Sequence, residues 1–166
     1  MLRTVVIVLL TGLQGAGKTT AARLVAAQLE RGVHVEGDAI RRFVVAGRAD
    51  MTPDASEEAL AQLRLRYAVA AFAAQEYERR GFDVVVDDVV AGPMLEEVLA
   101  LYARPPSVVV LFPTKETVAA RAAERYASYP LDELYRLFAE ETPRIGRWID
   151  NSSLTPAETA AAILHG

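Results

Sequence analysis

The chain has 166 residues, 52% of them hydrophobic and 24% charged, with a net charge of −4 and no cysteine. That length suits one catalytic domain spanning residues 1–166 and is too short for a motor ATPase with accessory domains; the composition carries no sign of disorder. Lack of cysteine excludes disulfides, thiolate chemistry and cysteine-ligated zinc. Two histidines, His34 and His165, leave little for a metal cluster, and the acidic balance argues against nucleic acid as the main ligand.

Val5 to Leu10 reads as a buried strand. It lacks the basic flank of a signal peptide, and no segment nears the ~20 apolar residues of a membrane span. The expectation is a soluble, cytoplasmic protein with no membrane partner, acting as a monomer or a homodimer. Directly after the strand, Gly12-Leu13-Gln14-Gly15-Ala16-Gly17-Lys18-Thr19 fits G-x-x-x-x-G-K-[ST], and Ala21 to Leu29 continues as a helix. Strand, glycine loop and helix together form the setting this phosphate-binding motif demands. Its glycines let backbone N–H groups approach phosphates closely, and the helix N-terminus adds partial positive charge. Gly12, Gln14, Gly15, Ala16, Gly17, Lys18, Thr19 and Thr20 are therefore expected to hold ATP, with Lys18 bridging the β- and γ-phosphates and Thr19 holding Mg²⁺.

Further along, Gly32 marks a helix end and Val33 to Glu36 a second strand. Asp38 stands where a helix should start, and Ala39 to Gly47 is expected to form it. Arg48 to Pro53 is a loop. Asp54 to Arg80 reads as a long helix with Leu60, Leu63, Tyr67, Ala70, Ala71, Ala74 and Tyr77 on one face, ended by Gly81. Phe82 to Asp87 is a third strand, Gly92-Pro93 opens a helix through Tyr102, and Ser107 to Phe112 is a fourth strand. A helix from Thr114 to about Tyr126, a loop at Ser128 to Pro130, a helix from Leu131 to Thr142 and a short strand at Ile145 to Ile149 follow. Thr155-Pro156-Ala157-Glu158 starts a closing helix with a capping box. Strands alternating with helices predict an α/β three-layer sandwich.

Phosphoryl transfer to a hydroxyl needs a base, a magnesium carboxylate and a cation on the moving phosphate. Asp38, at the carboxyl end of the second strand, is placed to take a hydroxyl proton, although Asp is equally favoured as a plain N-cap. Arg41 and Arg42 follow within one turn; one is expected to meet the substrate while the other pairs with Asp38 or faces solvent. Asp87 and Asp88 end the third strand and point to opposite faces, with Asp87 favoured for magnesium and Asp88 for the acceptor side. Arg121 and Arg125 lie four apart on one helix, and Arg125 has no acid three or four residues away, which suits a lid that closes over phosphate. Arg144 and Arg147 carry a weaker version of that reading. Asn151 to Thr155 is either an adenine-side loop or a plain connection. Tyr67, Tyr77 and Trp148 read as core or pocket wall, and His34 as packing.

On these residues the whole chain resembles small P-loop kinases of the adenylate-kinase-like group, more narrowly the chloramphenicol phosphotransferase-like and AAA_33-type kinases. The resemblance rests on Gly12 to Thr19, on Glu36-Gly37-Asp38, on Val84 to Asp88 and on the arginine-bearing lid. It implies a five-stranded parallel sheet of order 2-3-1-4-5 with a short lid, Asp38 as base toward an acceptor hydroxyl, and Arg121 and Arg125 steadying the γ-phosphate. The expected activity is transfer from Mg-ATP to a small hydroxylated molecule, such as an antibiotic, a nucleoside or a sugar. Arg48 to Glu58 should border the acceptor and matches no nucleoside monophosphate kinase pattern. Its acids Asp50, Asp54, Glu57 and Glu58 suit a cationic or neutral acceptor or serve simply as helix-start charges. The alternative is a nucleotide-dependent switch without a small-molecule acceptor. A guanine signature is missing, since Thr114-Lys115 is followed by Glu116-Thr117.

Overall fold

The computed structural model describes residues 6–122 and 129–165. Five strands, β1 (Ile7–Gly12), β2 (Gly32–Glu36), β3 (Asp83–Asp87), β4 (Ser107–Leu111) and β5 (Arg147–Ile149), form one sheet in the order β2-β3-β1-β4-β5. Every neighbouring pair is parallel, as the sequence led one to expect. The helices α1 (Lys18–Gln28), α2 (Gly37–Arg41), α3 (Glu57–Glu78), α4 (Met94–Leu99), α5 (Lys115–Ala122), α6 (Leu131–Arg136) and α7 (Pro156–His165) surround it, completing a three-layer sandwich. The core is that of a parallel sheet covered on both faces. Leu9, Leu10, Val84, Val85, Val86, Val110 and Leu111 are almost wholly buried, which explains why β1, β3 and β4 are unbroken apolar runs rather than alternating ones.

Several boundaries differ from the sequence expectation. β1 runs two residues further, through Gly12, and pairs there with Leu111, so the first motif glycine belongs to the sheet. Gly32 lies in β2 rather than capping α1, whose C-cap is the extended Leu29. The helix expected over Ala39–Gly47 stops after Arg41, because Phe43 and Val45 have no surface to pack on and are 72% and 95% exposed. α3 begins at Glu57 because the Ser56 hydroxyl accepts from Ala59 N at 3.1 Å and takes the N-cap. Tyr77 lies outside the core, edge-on to Phe82.

The helix expected over Leu131–Thr142 changes at Leu137–Glu141 into a π-helical turn that seats Phe138 in the core. At α7 the capping box is formed: Glu158 N donates to Thr155 Oγ1 at 3.2 Å and Thr155 N to Glu158 Oε2 at 2.8 Å. Among the described residues no helix is long and apolar enough to cross a membrane. A cavity of about 470 Å³ is lined by Val8, Asp83, Ser107 and Leu164 at the amino edge of the sheet, opposite the phosphate loop.

Candidate active site

The loop between β1 and α1 is shaped by its backbone. Gly15 and Gly17 adopt φ values of 79° and 88°, which residues with a Cβ rarely take, and a Cβ on Gly15 would come within 2.6 Å of the Ala122 Cβ. Ala16 N donates to Leu13 O at 3.1 Å, and the Lys18 ammonium donates to the same carbonyl at 2.8 Å. Helix α1 begins immediately afterwards with Gly17 as its N-cap, so its first N–H groups open on the loop. Gly12, Gln14, Gly15, Ala16, Gly17, Lys18, Thr19 and Thr20 thus form one continuous turn, with Thr20 on its exposed side. The cradle suits a polyphosphate, since it offers backbone donors, a lysine and no acid of its own.

At the floor of the loop, Thr19 Oγ1 donates to Asp87 Oδ2 at 2.9 Å. Parallel pairing sets Leu10 against Asp87 and so delivers the carboxylate from the end of β3 to the first turn of α1. The hydroxyl and carboxylate are the oxygen pair that a magnesium ion accompanying a triphosphate requires, directly or through water. The other Asp87 oxygen is bonded to His34 Nε2. His34 sits on β2, and the β2–β3 register places it two residue pairs before Glu36 and Asp87 come opposite each other. It is therefore an orienting partner of Asp87, where the sequence suggested only packing.

Asp88 turns to the other face, as two successive strand residues must. Arg66, on α3, donates to it twice, Nε to Oδ2 at 2.8 Å and Nη2 to Oδ1 at 2.7 Å, and Val89 N adds a third bond at 2.7 Å. Burial raises the Asp88 pKa to about 6, although the Arg66 charge and these bonds pull the other way. Gly37 rests directly on this carboxylate, and a Cβ there would lie 2.0 Å from Asp88 Oδ2. Asp38 follows, at the second position of α2 rather than as its N-cap, which is Glu36. Both Asp38 oxygens are held, one by Arg41 Nε at 2.8 Å and the other by Arg42 Nη1. Partial burial works to raise the Asp38 pKa. The Arg41 bond and the charges of Arg41, Arg42 and Arg66 outweigh it and hold the group below the usual carboxylate value. The expected division of labour between the two arginines is therefore absent: both pair with Asp38, and Arg41 also reaches Asp50 at 2.6 Å.

Of the two lid arginines, Arg121 donates through Nη2 to the carbonyls of Asn151 and Ser152, each at 3.3 Å, and so binds the β5–α7 loop. Arg125 lies outside the described residues. Asn151 is buried and donates from Nδ2 to Ala16 O at 2.9 Å, so the loop read as a plain connection buttresses the phosphate cradle. Arg147 donates to the Ala162 and Ile163 carbonyls at 3.1 and 2.6 Å and closes the C-terminal end of α7, while Arg144 stacks 3.9 Å from the Trp148 ring centroid. Both make contacts within the fold here. Tyr67 is buried, with its hydroxyl donating to Val89 O at 2.6 Å, as a pocket-wall residue should be. Arg66 was missed, and the partners of His34 and Asn151 were not foreseen, because nothing in their local sequence distinguishes them.

The AAA_33 family model, described as an AAA domain, matches residues 7–137. No curated protein matches the chain. Solved structures similar to it include the APS kinase of Mycobacterium tuberculosis in complex with AMPPNP and APS. It is 17% identical with a TM-score of 0.72, and the match covers 98% of this chain and 97% of that one. A sugar kinase of Janibacter sp. HTCC2649 is 20% identical over 96% and 92% of the two chains, with a TM-score of 0.69. The tunicamycin resistance protein of Deinococcus radiodurans is 19% identical over 96% and 93%, with a TM-score of 0.67. These likenesses establish a shared fold, whose 2-3-1-4-5 sheet places the phosphate loop, Asp87 and Asp38 along one edge. Together with the family match over most of its length, they show that this chain belongs to the AAA_33 family and has the fold of the small P-loop kinases.

Proposed function

We propose that this protein is an ATP-dependent phosphotransferase that moves the γ-phosphoryl group of Mg-ATP to a hydroxyl of a small molecule. The observation that carries the reading is the placement of two carboxylates around one loop: Asp87 bonded to Thr19 at 2.9 Å, and Asp38 at the end of the neighbouring strand. The phosphate loop and Lys18 bind and orient the triphosphate, and Thr19 with Asp87 holds the metal side. Bound Mg-ATP supplies an electrophilic phosphorus and a leaving group already neutralised in part by the metal.

Asp38 accepts the acceptor's hydroxyl proton while that oxygen bonds to the γ-phosphorus and the bond to the β-phosphate oxygen breaks. Each Asp38 oxygen holds one arginine bond and keeps a lone pair for this proton, and opening one of the two pairs would free it further. The Arg42–Asp38 pair, with both side chains 53% exposed, is the cheaper to open. Arg121, tied to the β5–α7 loop, shapes the base side of the nucleotide, and Arg125 is left as the lid cation for the γ-phosphate.

The test is mass spectrometry of acceptors incubated with the protein and Mg-ATP: aminoglycosides, nucleoside and chloramphenicol-like antibiotics, nucleosides and sugars. The expected product is heavier by one phosphoryl group and falls by about two orders of magnitude in Asp38→Asn while nucleotide binding persists. An antibiotic acceptor would make the protein a resistance enzyme; a nucleoside or sugar would make it metabolic. Tight ATP binding with no phosphorylated acceptor would favour the switch.

A further inference from the structure

The outward side of α3 is apolar along its middle. Leu65 and Phe72 are 59% and 65% exposed and Val69 is 36% exposed. Together with the exposed Ala61 and the half-buried Ala68 they recur at intervals of three and four, so all five share one face of the helix. The opposite face, with Leu63, Tyr67, Ala70, Ala71 and Ala74, is in the core. Polar contacts border the apolar face on both flanks: Arg64 pairs with Glu97 on one, and Gln62 binds the backbone at Gly47 and Ala49 on the other. Single apolar residues are ordinary on a protein surface, but an aligned set with a polar rim has the anatomy of an interface.

The charges at its two ends say what covers this face. Glu57 and Glu58 stand exposed at the amino end of the stripe, and Arg79 and Arg80 stand exposed at the carboxyl end. Glu76 pairs with both arginines, and two cations against one acid leave that end positive. The helix is therefore complementary to a copy of itself turned end for end. A twofold axis passing between Ala68 and Val69, near the middle of α3, sets Leu65 against the partner's Phe72, and sets Glu57 and Glu58 against the partner's Arg80 and Arg79. Symmetry makes each of these contacts twice, and the small side chains of Ala61 and Ala68 leave room for Leu65 and Phe72 to interdigitate. We propose that this face is the interface of a homodimer in solution, formed by two α3 helices packed antiparallel. One helix pair makes a small interface, so the dimer is a reversible one. Arg66 and Tyr67 turn toward Asp88 and Val89 on the inner side, so pairing leaves the candidate active site of each protomer uncovered by α3.

The test is sedimentation velocity of the full chain over a range of about 1 to 300 µM, where a dimer with a Kd of about 1–100 µM is expected. Leu65→Glu and Phe72→Glu should each weaken it at least about tenfold. Glu58→Arg and Arg79→Glu should each weaken it about threefold or more. The double variant Glu58→Arg/Arg79→Glu should bring the Kd back toward the wild-type value, because the reversed charges meet again across the axis. That repair is specific to an antiparallel pairing of identical helices, and a partner of any other sequence would not give it. Thermal unfolding at low concentration, where the chain is monomeric, checks that every variant is folded. A monomer at all concentrations overturns the proposal and leaves the face to a different protein. A dimer that Leu65→Glu and Phe72→Glu leave intact, or one that the single charge reversals fail to weaken and the double variant fails to repair, overturns it as well.

Discussion

In the phosphate loop, the Ala16 amide and the Lys18 ammonium both close on one backbone carbonyl, that of Leu13, and Asn151 fastens the turn from behind. Across the sheet, Asp38, Arg41, Arg42, Arg66 and Asp88 hold one another almost entirely by side chains, and Asp38 is half exposed. The first flank is a fixed backbone shape and the second an adjustable set of ion pairs. On the proposed kinase reading, the difference follows from what each flank must recognise. Triphosphate presents the same oxygens in every turnover and can be met by a rigid cradle. An acceptor varies between enzymes, and side chains can be exchanged without rebuilding the loop.

The sharpest way to break this contrast is at the loop. Lys18→Ala should lower kcat/KM by about 10³-fold, read with any accepted substrate, because it removes a charged donor from the developing phosphoryl charge. A loss confined to acceptor KM would contradict the division. Next, Asp87→Asn should raise the Mg²⁺ concentration needed for half-maximal nucleotide binding roughly ten- to a hundredfold, with His34→Ala shifting it in the same direction by less. Calorimetric titration of metal in the presence of nucleotide would show it.

The third prediction concerns the acceptor flank. Burial lifts the Asp88 pKa to about 6 from 3.8, so the folded chain binds this proton more tightly than the unfolded chain does. The stability that proton provides is fully present below about pH 4 and disappears as pH rises through about 6. The stability of the wild type relative to Asp88→Asn should therefore decline by up to ~3 kcal/mol from pH 4 to pH 7, by denaturant unfolding without metal or nucleotide. A difference that grows with pH would show that Arg66 outweighs burial. Smallest is Gly15→Ala, which forces a side chain into φ of 79° against Ala122. It should cost about 2 kcal/mol in the same assay and weaken nucleotide binding while sparing the Arg66–Asp88 pair.

The same contrast governs how far the site is legible in sequence. The loop, its strand and its helix are contiguous, so spacing alone locates Gly12 to Thr19, and the apolar runs of β1, β3 and β4 announce themselves as buried parallel strands. The capping box of α7 is likewise local. The contacts that escaped join distant positions: Arg66 to Asp88 across 22 residues, His34 to Asp87 across 53, and Asn151 to Ala16 across 135. No periodicity encodes such pairs, since an arginine on α3 looks the same whether it faces solvent or a buried carboxylate. The short α2 was misjudged for a related reason. Local propensity favours continuing the helix, but only tertiary packing could reward it, and Phe43 and Val45 find none.

The bond between Asn151 and Ala16 also imposes an order in time. The phosphate loop is made well before its buttress, and β1, which leads into it, ends at the centre of the sheet between strands made much later. Its buttress is made 135 residues after it. A nascent chain therefore carries the whole phosphate-loop motif long before it can close it.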